Sequence, residues 1–128
     1  MAVDQAREQL RDLSARLVRL HALLLDRERR AYEQQHTPVG SWALLQLLLH
    51  DAQFAWLRSL SSLMAEIDAL VDSDEPVTFD DAQRLMRNTY RLLSSGDRGA
   101  FQDKYRAALQ ESPDVVMVHA GISGILRR

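Results

Sequence analysis

The sequence predicts an all-α fold: an antiparallel helical bundle of four to five helices with two long N-terminal helices, forming one domain over residues 1–128. Apolar residues recur at alternating spacings of three and four over residues 4–35 and again over 42–70, the period of a helix with one buried face. Proline, glycine and capping residues punctuate the chain between such stretches. A chain of this length buries roughly two thirds of its unfolded surface, so its core needs no disulfide or metal.

The first helix is expected from about Asp4 to Gln35. Val3, Ala6, Leu10, Leu13, Leu17, Leu20 and Leu24 form one narrow stripe, and Asp12 with Arg16 and Asp26 with Arg30 stand at helical spacing on the wet side. Each such pair adds only about 0.2–0.5 kcal/mol, yet it shows which face meets water. His36-Thr37-Pro38-Val39-Gly40 then stops the helix, because proline has no N–H to donate and biases Thr37 away from helix. Ser41 is the expected cap of a second helix reaching Val71, with Trp42, Leu45, Leu49, Ala52, Trp56, Leu60, Leu63, Ile67 and Leu70 as its main stripe. So short a connection makes the two helices antiparallel neighbours, each roughly 45 Å long.

Asp72 to Pro76 is the next loop, and Thr78 with Asp81 forms an aspartate version of the capping box. Phe79, Ala82, Leu85, Met86, Tyr90 and Leu93 are the expected buried face of the third helix. Gly96 ends it in the left-handed conformation. Asp97 is the expected cap of a fourth helix, with Phe101, Tyr105, Ala108 and Leu109 inward. Ser112-Pro113-Asp114 is a further start signal, so residues 115–126 are expected to form a fifth helix, although their Val-Val-Met-Val run would also suit a strand and Gly121 and Gly124 weaken a helix.

The second helix carries more apolar surface than one stripe. Leu44, Leu47, Phe54, Leu57 and Met64 spread around its cylinder, and a helix apolar on nearly all sides must be covered on nearly all sides. Either the shorter helices cover it or a second copy does. A two-fold homodimer is expected, with Leu47, Phe54, Leu57 and Met64 at its interface.

Composition excludes several chemistries. With no cysteine, the chain has no disulfide framework, thiolate metal site or cysteine nucleophile. Its 16 basic and 18 acidic side chains give a net charge of −2 and are interspersed, which singles out no class of partner. No run is long and apolar enough for a leader or a membrane span, so a cytoplasmic protein is expected. One Glu-x-x-His pair, Glu33 and His36, lacks the second copy that a di-metal bundle uses, and no metal or other cofactor is expected. His119 lacks the cation nearby that phosphotransfer chemistry uses, and a partly buried helix histidine is the better reading. Arg84, Arg87 and Arg91 form a basic ridge, but Asp80, Asp81 and Asp103 neutralise it, so nucleic acid is not the expected partner. No nucleophile elbow, phosphate loop or dinucleotide fingerprint is present. Among polar residues, Glu28 falls close to the apolar stripe of the first helix. Folding back at the 37–40 turn brings it level with Gln46 to His50, where Glu28, Tyr32 and His50 form a candidate ligand-binding pocket.

The stretch Leu48-Leu49-His50-Asp51-Ala52-Gln53-Phe54-Ala55-Trp56-Leu57-Arg58-Ser59-Leu60-Ser61, followed by Ile67-Asp68, and the segment from Ser112 to His119 resemble a group of short bacterial helical proteins sharing a Phe-x-Trp-Leu-Arg-x-Leu-Ser core. The matching segments cover about a quarter of the chain. The resemblance implies a bacterial source and an all-helical fold, and it carries no activity, cofactor or catalytic residue. In that core Phe54 and Trp56 are expected to anchor packing, while Arg58 is open to either a buried ion pair or an exposed contact. The expectation is therefore a non-enzymatic bundle acting through protein contacts, with a small ligand-binding or enzymatic bundle as the alternative.

Overall fold

The computed structural model describes residues 2–128, with side chains from Gln5 onward. Among them are six α-helices and one 3₁₀ turn: α1 (Ala2–Glu33), α2 (Ser41–His50), the 3₁₀ turn (Ala52–Leu57), α3 (Arg58–Val71), α4 (Phe79–Ser94), α5 (Ala100–Glu111) and α6 (Pro113–Leu126). The fold is an all-α bundle.

The stripe on α1 is its axis. Leu10, Leu13, Leu17, Leu20 and Leu24 are fully buried, and α3, α6, the 3₁₀ turn and α4 all pack on α1. Polar contacts fix the register of α3 against it. His21 Nε2 lies 3.0 Å from Ser61 Oγ, Ser14 Oγ donates to Asp68 Oδ1 at 2.6 Å, and the Arg7 guanidinium donates to Ser73 O at 2.9 Å and Glu75 O at 2.8 Å. Residue numbers rise on one helix as they fall on the other, so the pair is antiparallel. Arg7 also reaches the Leu70 and Val71 carbonyls; Leu70 O already accepts from the Ser73 N–H at 3.3 Å, so Val71 O is the acceptor that the last turn of α3 leaves to the guanidinium.

The second helix is not continuous. It breaks at Asp51, whose backbone is extended (φ −89°, ψ 137°) and whose carboxylate accepts from the Gln53 N–H at 2.8 Å. Aspartate competes for backbone donors in this way and favours caps over helix interiors. Arg58 closes the break by donating to the Leu49 carbonyl at 2.9 Å, so of the two roles expected for it the structure shows the exposed contact, made as a cap on α2, and no buried ion pair. The break also changes the phase of the helix. A six-residue 3₁₀ turn advances about 120° per residue against about 100° for an α-helix, a surplus of about 120° in all. The stripe therefore divides. Trp56, Leu60, Leu63 and Ile67 are buried as expected, but Trp42, Leu45 and Leu49 face outward, and α2 has no buried residue. The long second helix becomes a short surface helix and a core helix.

Later elements follow their start and stop signals. Thr78 Oγ1 accepts from the Asp81 N–H at 3.0 Å, Gly96 takes φ +82°, and Ser112 Oγ accepts from the Val115 N–H at 3.3 Å to start α6. The fourth expected helix starts later than its proposed cap, with Gly99 and not Asp97 before α5. In α4 the expected face is displaced. Ala82, Leu85, Met86, Thr89 and Leu93 are buried, while Phe79 and Tyr90 are exposed, because both lie about 60–80° from the centre of that face. Thr89 sits at the centre with its hydroxyl donating to Leu85 O at 2.8 Å, and Val77, just outside the helix, is buried in place of Phe79. At Gly121 the exposed Arg16 side chain lies across α6, and a Cβ there would only displace the mobile end of its guanidinium.

The divided stripe gives a direct comparison. Leu17→Ala should cost about 2–5 kcal/mol in urea unfolding, whereas Leu45→Ala should stay within about 0.5 kcal/mol of the native protein.

Candidate functional site

The α1 stripe ends in a charge. Glu28 stands four residues beyond Leu24 on the same face and is only 5 % exposed. The 3₁₀ turn delivers Trp56 against it, and the indole Nε1–H donates to Glu28 Oε1 at 2.6 Å. Lys104 of α5 places its ammonium 3.6 Å from the same oxygen, on a side chain that is more than half exposed. Among the described residues Oε2 accepts no hydrogen bond. No fully buried side-chain oxygen or nitrogen of those residues lacks a partner, so Oε2 touches solvent.

That solvent fills a cleft of about 590 Å³ between α1, α5 and the start of α6, lined by Leu23, Trp56 and Val115 and by Glu28, Lys104 and Asp114. The other charges at its walls are already engaged. Arg29 and Arg30 hold Asp26, the latter at 2.8 Å, and Arg27 pairs with Glu111 across from α1 to α5. The hydrogen bond from Arg29, reinforced by the charge of Arg30, holds the Asp26 carboxyl below its ordinary pKa.

The expected trio is not assembled. The register of α1 against α3 sets Glu28 opposite Trp56, about two helical turns from the position expected for His50. His50 is exposed in the last turn of α2 and makes no hydrogen bond to Glu28. Tyr32 is half-buried, stacked on His36 with ring centroids 4.0 Å apart and tilted on Phe54 at 5.9 Å. Glu33 and His36 serve the turn: Glu33 accepts from the Val39 N–H at 2.7 Å, and His36 Nδ1 lies 3.0 Å from Tyr32 O. Of the expected interface residues, Phe54 and Leu57 are fully buried in this chain's own core, and Leu47 and Met64 are half-buried against it. The free apolar surface of the broken helix lies on the other side, at Trp42, Leu45 and Leu49. On the arginine ridge, Arg84 reaches Glu66 of α3 at 3.5 Å.

A second polar pair lies on the far side of α5. The Tyr105 hydroxyl and His119 Nδ1 share a hydrogen bond of 2.6 Å beside a smaller cavity of about 300 Å³. Burial raises the Tyr105 pKa, so the phenol keeps its proton. Trp56, Phe101, Tyr105 and His119 form a continuous aromatic row, with neighbouring centroids 5.4–5.6 Å apart. Only the four-residue spacing of Phe101 and Tyr105 hinted at it.

The chain matches no protein-family model, no curated protein and no solved structure.

Burial lowers the pKa of both His21 and His119 below the ordinary 6.5. The unfolded chain therefore takes up protons that the folded chain refuses as pH falls through 6.5. Stability should be full above about pH 7 and decline toward pH 5, while the lowered Asp26 keeps its contribution until far more acidic conditions. Thermal melts across this window should show the loss, and His21→Gln should make it shallower.

Proposed function

We propose that this chain is a non-enzymatic contact module that pairs with a second copy of itself through α2. The observation that carries this reading is the composition of that helix. Ser41–His50 contains no Asp, Glu, Lys or Arg and buries none of its residues. Trp42, Leu45 and Leu49 stand at i, i+3 and i+7 on one face, with Trp42 73 % and Leu49 52 % exposed. Apolar surface left in water forgoes about 25 cal/mol per Å², and contiguous exposed patches mark sites of association.

A second copy is the occupant that fits. A helix without charges meets its symmetry mate with no like-charge contact, and an antiparallel crossing sets Trp42 of one copy beside Leu49 of the other. A membrane-surface helix would carry lysines or arginines on its polar face, and α2 has neither. Ten residues span about 15 Å, so the contact belongs among small, reversible interfaces.

Sedimentation equilibrium should show a monomer–dimer exchange over micromolar to high micromolar concentrations. The double substitution Trp42→Glu with Leu49→Glu should leave a folded monomer, since neither side chain belongs to the core. A native protein that stays strictly monomeric at high micromolar concentration overturns the reading.

A further inference from the structure

We infer that the Glu28 cleft is a binding site for a small molecule that carries a primary ammonium group on an apolar body. The site is built around a carboxylate that the fold has almost buried, with its protein partners on one oxygen and the other left to solvent. Glu28 is 5 % exposed, and one neutral N–H, from Trp56 at 2.6 Å, is its only hydrogen bond among the described residues. Burying an ionised carboxylate costs several kcal/mol unless a cation and further hydrogen bonds offset it. Lys104 meets that need only in part, at 3.6 Å, outside hydrogen-bond range, and on the oxygen that the indole already holds.

Charge around the cleft points to a cation. Asp26 is held by Arg29 and Arg30, and Glu111 by Arg27, which leaves Glu28 and Asp114 facing Lys104 alone. Beside the polar Gln34 and Ser112, the remaining lining supplies Leu23, Ala31, Ala107, Pro113, Val115 and Trp56, a surface suited to an aliphatic or aromatic body. A volume of about 590 Å³ falls in the range of small-molecule pockets. In the bound state the ligand ammonium donates to Glu28 Oε2, the oxygen that has only solvent, while the Trp56 bond to Oε1 stays in place. Lys104 swings outward on its exposed stem. The site is independent of the α2 contact, because no α2 residue lines it.

The test uses the full chain with n-butylammonium as probe and n-butanol as the neutral control, observed through the Trp56 indole N–H in ¹⁵N-correlated NMR spectra. Butylammonium should shift that resonance saturably with a Kd on the order of 1 mM, as suits so small a ligand, and butanol should not. Lys104→Ala should tighten binding several-fold by removing the resident competitor. Glu28→Gln, which still offers the indole an acceptor, should abolish it. No saturable shift in the native protein overturns the proposal. So does binding seen only in Lys104→Ala, because Lys104 would then be the permanent counter-ion. Both of these outcomes are read from proteins with Glu28 intact, so they stand even if Glu28→Gln fails to fold.

Discussion

A 32-residue helix of about 48 Å carries a leucine stripe from Leu10 to Leu24 that must be covered, and no other helix of the described chain exceeds 16 residues. This mismatch in length governs the architecture. Several short helices divide the stripe between them, with α3 and the 3₁₀ turn covering one flank, α6 another, and α4 closing part of the gap. Each has to end where the next takes over, and the ends are tied to α1 by polar side chains. Arg7 holds the C-terminus of α3, Arg27 the end of α5 through Glu111, and Asp12 the last residue of the chain, Arg128, at 3.0 Å.

The buried carboxylate follows from the same geometry. The stripe runs on past Leu24 in steps of four, and its next position is Glu28. A leucine there would need no hydrogen-bond partner, whereas glutamate requires a donor, and the 3₁₀ turn brings the Trp56 indole to it. Trp56 in turn rests on Phe101, so an interaction between α1 and the 3₁₀ turn also positions α5. The cleft is the space left where α5 stands off from α1 and α6 begins.

Much of this was legible in the residues. The α1 stripe, the Thr78, Gly96 and Ser112 signals, and the burial of Glu28 all follow from spacing and local chemistry. The break at Asp51 was harder to see, because leucines keep a helical period on both sides of it. Its trace in the sequence is an aspartate two residues before Gln53, the pattern of a cap, set inside an apolar run that masks it. Missing the break reversed the two faces of α2 and misplaced His50. Partner identity depends on the path of the connection, which composition does not encode, so Glu28 could be placed on the buried face but its partner could not be named. The aromatic row was hidden for the same reason, since three elements contribute to it.

The two tryptophans sit in opposite environments, and this gives the protein a built-in pair of optical probes. Trp42 is open to water, so its emission belongs at the red end of the tryptophan range and is open to quenching by dissolved iodide. Trp56 is enclosed, rests on Phe101 and donates to a carboxylate, so its emission is shielded from such quenchers and sensitive to the charge beside it. Replacing either residue with phenylalanine isolates the signal of the other, and events at the surface helix and in the cleft can then be followed separately in one unlabelled chain.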